Sequence, residues 1–416
     1  MDEPLPVTDA DAVVIGAGAF GLSAAYHLAA LGLKRVVVLD RFAPASQTSP
    51  RAAGLFKLVQ VDETLTRLAQ LSIEIVTGFE TATGVPMSHV RSGSLLIART
   101  TEHAAMVDAE AANARAWGIE LEPVGETTAH RLAPYLEGRG LRTAYHVPGD
   151  IYVEEPATML AAYLEAGARL GVAVVGHAPA TALRARGGRV EGVATPRGEI
   201  RTEVVIDAAG AWAPQIGAMG GVRVPVAPVR HQLLITEPLA GIAAEQPIVR
   251  IIDASAYVRP ARGGLMLGGF ERDPLPLDPR HAGPAFTMEQ VPLDRRVLDR
   301  FADLVADQVP ILPGAATNEH RGGLFTMTAD GRFLAGPVPG LDGFWLATGC
   351  NGSGFSLSSG IGRCLAEWIV GGSPPFDLTT LHPGRFAGSE ITDDQLVAAG
   401  VWQYANYYTP GAGSTV

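Results

Sequence analysis

The stretch Val13–Asp40, VVIGAGAFGLSAAYHLAALGLKRVVVLD, decides the fold of the N-terminal part of this chain. Val13, Val14 and Ile15 read as a short buried strand. The turn Gly16-Ala17-Gly18-Ala19-Phe20-Gly21 follows, then an apolar pattern of helical period, then a second strand, Val36 to Leu39, ending on Asp40. This is a βαβ dinucleotide-binding unit. Gly16 permits the tight turn, Gly18 lets the backbone approach a pyrophosphate, and Gly21 lets the helix pack on the sheet. The helix N-terminus then faces the phosphates. Asp40 stands 19 residues past Gly21, where its carboxylate accepts from two ribose hydroxyls and repels a 2′-phosphate. The unit by itself suits NAD and FAD equally.

At 416 residues the chain is too long for one typical core, so two domains are expected. Hydrophobic residues at 47% and charged ones at 18% describe a globular protein rather than a disordered or fibrous one. The net charge of −11 argues against nucleic acid as a partner. Cys350 and Cys364 are the only cysteines, which excludes a disulfide framework, and neither has metal ligands at zinc spacing, so no metal is expected. The acidic start MDEPLPVTDAD carries no secretory signal pattern, and no apolar run approaches 18 residues. A cytoplasmic protein without a membrane span is expected.

Outward from the opening unit, residues 41–50 read as a loop leading into the small residues Ala52, Ala53, Gly54 and Leu55, where backbone can approach a ligand. Helices are expected from about Thr64 to Glu80, Glu102 to Trp117 and Pro156 to Leu170, with strands between Val85 and Ala98. Gly187-Gly188 signals a hairpin. The run Val204 to Trp212 is an apolar strand ending in small residues, which a large flavin-binding domain needs and a compact NAD domain does not; it moves the balance to FAD. Residues 225–270 should form antiparallel sheet, Asp273 to Gly283 a linker, and Thr287 to Val309 a helix. A last strand-turn-helix unit spans Gly343 to Ile369. Beyond Pro374 few clear elements are expected, with Thr409 to Val416 frayed.

Together, Val13–Asp40, Arg51–Leu55, Val204–Trp212, the Arg230–Pro238 run, Gly323–Gly331 and Pro374–Leu378 resemble the FAD-dependent D-amino-acid-oxidase superfamily, most of all its sarcosine and dimethylglycine oxidase or dehydrogenase branch, with glycine oxidase nearby. The resemblance implies an α/β fold: a Rossmann-like FAD domain of the p-hydroxybenzoate-hydroxylase type with an inserted, sheet-rich α+β substrate domain. Residues 10–85, 150–222 and 320–390 would build the FAD domain, 86–149 and 223–319 the substrate domain, and 391–416 a tail. It also implies oxidation of a carbon–nitrogen bond by hydride transfer to flavin and hydrolysis of the imine in water. The FAD contacts it implies are Gly16 to Gly21, Asp40, Arg41, Ser49, Ala52 to Leu55, Ala180, Ala209, Gly210 and Trp212. Gly349, Gly352, Ser353 and Gly354 would present amides to the flavin's pyrimidine side.

Departures from the family pattern inform as much as the matches. Covalent members carry a histidine where this chain has Arg51, or a cysteine where it has Gly323, so FAD should be non-covalent. The oxygen-activating lysine of monomeric sarcosine oxidases is replaced by Met266, which places oxygen in doubt and leaves an unidentified electron acceptor open. Relatives with a folate-binding domain continue beyond the point where this chain ends, so one-carbon transfer within the same polypeptide is not expected. His231 is the candidate proton acceptor or electrostatic orienter, because a protonated amine cannot release a hydride and an imidazole titrates near operating pH. Tyr257 is the candidate hydrogen-bond partner of the substrate. The arginine that amino-acid oxidases use to clamp a carboxylate is replaced by Phe325, which suggests a less polar or larger substrate than glycine. Arg51, Lys57, Arg259 and Arg321 are the substitutes. Two other readings stay open: a flavin 2-hydroxy-acid dehydrogenase, and a non-catalytic flavin-bound binding module.

Overall fold

A computed structural model of the chain describes residues 5–409. The opening stretch forms the strand Ala12–Ile15, the helix Ala19–Ala30 and the strand Val36–Leu39, with both strands buried along their whole length. Each strand is covered on both faces, which is why it reads as an unbroken apolar run rather than an alternation. The two pair in parallel, and on its other side Ala12–Ile15 pairs in parallel with Val205–Asp207, setting Asp207 beside Ile15. The sheet grows to six strands in the order Leu334–Pro337, Phe344–Thr348, Val205–Asp207, Ala12–Ile15, Val36–Leu39, Ala173–Val175; only the first is antiparallel to its neighbour.

One face of this sheet buries Val14, Leu28, Leu68, Tyr163 and Leu365 against the helices Ala19–Ala30, Glu63–Thr83, Pro156–Arg169 and Gly354–Gly371. The other buries Val13, Leu39, Val190 and Ile200 against a three-stranded antiparallel sheet, which contains the hairpin expected at Gly187-Gly188.

A second sheet has eight strands in the order Thr317–Met327, Ala227–Thr236, Gly264–Gly269, Ala256–Ala261, Ile248–Ile251, Ser94–Ala98, Thr143–Val147, Glu122–Pro123. Its Val249, Val258 and Leu267 pack on Leu298 and Phe301 of the helix Arg295–Leu304. The antiparallel expectation for 225–270 meets one exception: Ile248–Ile251 runs parallel to Ser94–Ala98. A parallel pair needs a long connection, and two strands of the first sheet, Ala173–Val175 and Val205–Asp207, lie between those two strands in the chain.

Four expectations are corrected. Between Val85 and Ala98 only Ser94–Ala98 is a strand, and Val90 makes a single bridge to Tyr152. The helix expected over Thr287–Val309 is broken into a 3-10 turn, Met288–Gln290, and the helix Arg295–Leu304. Pro292 has no N–H to give and forces Val291 into an extended conformation, and the helix restarts where Asp294 accepts from Arg296 N. Residues 320–327 lie in the second sheet, because Thr317–Met327 pairs with Ala227–Thr236 from Thr236 to Ala227; the chain re-enters the first sheet at Leu334. The tail is not featureless either. The helix Asp393–Ala405 opens on a Thr392/Gln395 capping box and packs on Ala227–Thr236 with Leu396 and Tyr404 buried. The frayed end expected at Thr409–Val416 lies outside the described residues but for Thr409.

Asp207 ends its strand fully buried. Its Oδ1 accepts from Ala209 N at 3.0 Å and its Oδ2 has no partner among the described residues. Burial pushes the carboxyl up to about 8, so it is protonated at neutral pH. A carboxyl raised in the fold contributes stability that is complete below its unfolded value and lost as pH climbs through the folded one. Asp207→Asn keeps the acceptor and cannot ionise. The variant's stability relative to the wild type should therefore rise by about 2–3 kcal/mol between pH 6 and pH 8, at ~1.4 kcal/mol per unit. Urea unfolding at the two pH values measures it; a constant difference would show that the carboxyl does not titrate in that window.

Candidate active site

A cleft opens at the C-terminal ends of Ala12–Ile15 and Val205–Asp207 and runs across to the second sheet. Its floor is backbone. Gly16 has φ +110°, and a Cβ there would stand 2.5 Å from the Ala208 carbonyl oxygen, while one on Gly21 would stand 1.8 Å from that of Gly16. Both glycines are structural. Gly18 differs: its φ is −89°, and a Cβ would meet only Ser49 Oγ, at 3.1 Å. Gly18 therefore keeps the cleft free for a ligand.

Two helices begin at this cleft without a side-chain cap from their N-cap residue, Ala19–Ala30 at Gly18 and Gly354–Gly371 at Ser353. Ser49 Oγ accepts from Ala19 N at 3.1 Å. Backbone donors at both ends, with the positive ends of two helix dipoles, suit a pyrophosphate and an electron-rich ring. Asp40 lines the cleft, its oxygens accepting from Ala17 N at 2.7 Å and Phe42 N at 2.8 Å, and burial pushes its carboxyl up. These features fit FAD. The Gly16–Gly18 turn, Ser49 and Asp40 would hold the adenosine diphosphate part, and Gly352, Ser353 and Gly354 the flavin's pyrimidine side.

Most of the expected FAD contacts line the cleft: Gly16, Gly18, Ala19, Phe20, Asp40, Arg41, Ser49, Ala52 to Leu55, Ala180, Ala209, Gly210, Trp212, Gly352, Ser353 and Gly354. Three do not. Ala17 directs its N–H to Asp40, Gly21 is packed under Gly16, and Gly349 turns the chain against Thr328 and Leu334.

The chemistry-bearing residues meet at the other end. His231, on Ala227–Thr236, lies parallel to Phe325 with centroids 4.3 Å apart, and both line the cleft. Its Nδ1 is 2.8 Å from Tyr404 Oη and its Nε2 is 2.9 Å from Tyr257 Oη. Burial pushes the imidazole down to about 3, so it is neutral, with one N–H and one lone pair. Each ring nitrogen thus faces a phenol, and Tyr404 Oη also has Gly269 O at 3.5 Å to donate to, so the network accommodates either tautomer. In the tautomer with the proton on Nε2, that N–H donates to Tyr257 Oη and the Tyr257 proton is left for the cleft. Gly268 faces Tyr257 in the ladder, and any Cβ there would fall 2.2 Å from that hydroxyl.

The expected cations divide. Arg51 and Lys57 line the cleft; Arg259 and Arg321 do not. Arg51 donates to the carbonyls of Ser46 and Gln47. Lys57 Nζ donates to Tyr407 Oη at 2.8 Å and sits over its ring, and burial pushes its ammonium down. Arg259 is fully buried and spends its guanidinium on the carbonyls of Ala53, Glu154 and Pro260. Arg321 donates to Ala52 O at 3.2 Å and lies near Glu155 and Glu319. Both brace the Ala52–Leu55 loop rather than face a substrate.

Sequence reasoning missed four residues. Tyr404, Tyr407 and Tyr408 come from the tail, and Tyr407 and Tyr408 line the cleft. Their signal was present in the Thr392-x-x-Gln395 capping box and in aromatics at helical spacing. Arg250 was visible as a single charge inside the apolar run Ile248 to Ile252.

Gly18→Ala should lower flavin content more than tenfold while shifting the apoprotein's Tm by only about 2 °C, since the new methyl meets only a serine hydroxyl in the protein. Absorbance after desalting and a thermal scan check this; an equal loss of fold would show that Gly18 is structural. Cys350 lines the cleft with its Sγ accepting from Thr326 N at 3.2 Å. With arginine and glycine at the family's two attachment places, acid precipitation should leave all the yellow colour in the supernatant.

Comparison with known proteins agrees with this geometry. The FAD dependent oxidoreductase family matches residues 11–368. The mitochondrial sarcosine dehydrogenase of Homo sapiens is 32% identical over 396 residues, 94% of this chain and 42% of that protein. The mitochondrial dimethylglycine dehydrogenase of Rattus norvegicus is 29% identical over 91% of this chain and 45% of its own length. The chain thus spans less than half the length of these two relatives. Among solved structures, L-proline dehydrogenase from P. horikoshii superposes with a TM-score of 0.82 at 23% identity, covering 92% of this chain and 98% of that one. Among the described residues no helix is long and apolar enough to cross a membrane, and no cluster of potential ligands could hold a metal ion. A dinucleotide cleft with a helix N-terminus at each end, matched over 11–368, has one reading: the chain belongs to the FAD-dependent oxidoreductase family typified by D-amino-acid oxidase, and FAD is its cofactor.

Proposed function

We propose that this protein oxidises the carbon–nitrogen bond of an N-methylated or other secondary amino compound, giving an imine that water hydrolyses. The observation that carries the reading is the neutral His231 held between Tyr404 and Tyr257 at the cleft wall. Bound FAD would supply a two-electron acceptor for a hydride from the substrate carbon. His231 orients rather than accepts a proton: an imidazole pushed down to about 3 cannot take one from an ammonium group. Its Nε2–H fixes the Tyr257 oxygen, and the Tyr257 hydroxyl donates to the substrate. Phe325 and Phe270, both beside His231, exclude water from that end. The nearby cations Lys57 and Arg250 and the low dielectric favour the neutral amine, the form with a lone pair to expel hydride.

The same weak basicity weighs against the 2-hydroxy-acid reading, because an alcohol must lose its proton to a base. Met266, fully buried in the cluster that contains Tyr257 and touches Ala53, offers no charge to superoxide. An acceptor other than oxygen is therefore the favoured partner.

Anaerobic addition of N-methylglycine or N,N-dimethylglycine should bleach the flavin, and lactate should not. Bleaching by hydroxy acids alone would overturn the proposal, and reduction by dithionite alone would favour the non-catalytic reading. Admitting air afterwards should restore the colour only slowly. Tyr257→Phe should lower kcat roughly 100-fold with flavin content unchanged, the usual cost of removing one donor from a desolvated site; an unchanged kcat would remove the hydroxyl from the chemistry.

A further inference from the structure

The strand Ile248–Ile251 alternates strictly. Val249 and Ile251 enter the core under the second sheet, whereas Ile248 and Arg250 line the cleft. Arg250 is 4% exposed, and its Nε and Nη2 have no hydrogen-bond partner among the described residues. Its nearest anion is Asp150, with Oδ2 3.8 Å from Nη2, too far for a hydrogen bond. Asp150 is already engaged: Oδ1 accepts from Leu58 N at 2.8 Å and Oδ2 from the Ser94 hydroxyl at 2.6 Å. A buried guanidinium with idle N–H groups is costly, and its planar fork matches a carboxylate.

The ladder also says where that carboxylate would sit. Arg250 pairs with Tyr257 in the antiparallel register, and directly paired residues project from the same face as close neighbours. An anion on Arg250 is thereby placed beside the Tyr257 hydroxyl. Lys57, the other cation at this end, donates one hydrogen bond to Tyr407 and is a point charge rather than a planar fork.

We propose that Arg250 is the residue that holds the carboxylate of the amino-acid substrate, replacing the clamp whose usual position is occupied by Phe325. This rests on the amine reading for the identity of the substrate, but the binding of a carboxylate does not. Arg250 and Tyr257 then act as a two-point gauge, selecting amines that carry a carboxylate over amines that do not.

The test uses holoenzyme and methoxyacetate, a carboxylate with no amine to oxidise, with methoxyacetamide as the neutral control. Binding is read by calorimetry and by the flavin's visible spectrum. The wild type should bind methoxyacetate and ignore the amide. Arg250→Met should weaken binding at least ~30-fold, the loss of a charge-assisted bidentate pair, and Arg250→Lys about tenfold. Asp150→Asn should change it less than about threefold. Should Arg250→Met fail to retain flavin, Arg250→Lys decides. Methoxyacetate binding equally well to the arginine variants, or lost equally in Asp150→Asn, would show that Arg250 is only a counter-ion to Asp150 and would overturn the proposal. Absence of binding to the wild type would overturn it too. Failure of the amine reading is separate: no amine would bleach the flavin, whatever methoxyacetate does.

Discussion

The parallel pairing of Ala12–Ile15 with Val205–Asp207 is the constraint on which the site depends. It brings Gly16 so close to Ala208 that any side chain at Gly16 would collide with its carbonyl, and it opens the crevice where two strand ends diverge. Most of what would touch the adenosine end then follows from backbone, the turn and the helix N-terminus, with the Ser49 hydroxyl and the Asp40 carboxylate as the side chains that join it. Asp207, protonated and holding the next turn by one backbone N–H, is a cost accepted at this junction.

The other end of the cleft is built by packing rather than by a motif. His231, Phe325, Phe270 and Tyr404 form a continuous aromatic group, and the helix Asp393–Ala405 closes it by inserting Tyr404. Desolvation inside this group keeps His231 neutral and makes it a fixed dipole rather than a titrating base. Burial on the strand Ile248–Ile251 likewise leaves two nitrogens of Arg250 without hydrogen-bond partners among the described residues, the feature on which the proposed carboxylate site rests. The second sheet carries this arrangement because its strands present His231, Arg250 and Tyr257 toward the cleft while alternate residues fill the core below.

Much of the nucleotide half was legible because its determinants are local. A glycine fingerprint, a strand on each side and an acid at the right distance all lie within thirty residues of one another, and each acts through backbone geometry that composition reveals. The resemblance carried the reading further, to His231, Tyr257 and the Gly352–Gly354 turn. It misjudged Arg259 and Arg321, whose place near the cleft in sequence says nothing about which carbonyls their guanidinium groups satisfy. The break at Pro292 was visible in principle, since a proline within a helical pattern is a stop signal.

By itself, the sequence determined the βαβ unit, the turn of strand ends into small residues and the family, because these depend on short-range spacing and on residues that only glycine or an acid can replace. Tertiary structure alone decided which cations are free and which are spent, that His231 is neutral, and that the C-terminal helix belongs to the site. Those properties arise from burial and from partners distant in the chain: Tyr404 lies 173 residues from His231, and the two idle nitrogens of Arg250 are defined only by what folding fails to bring to them.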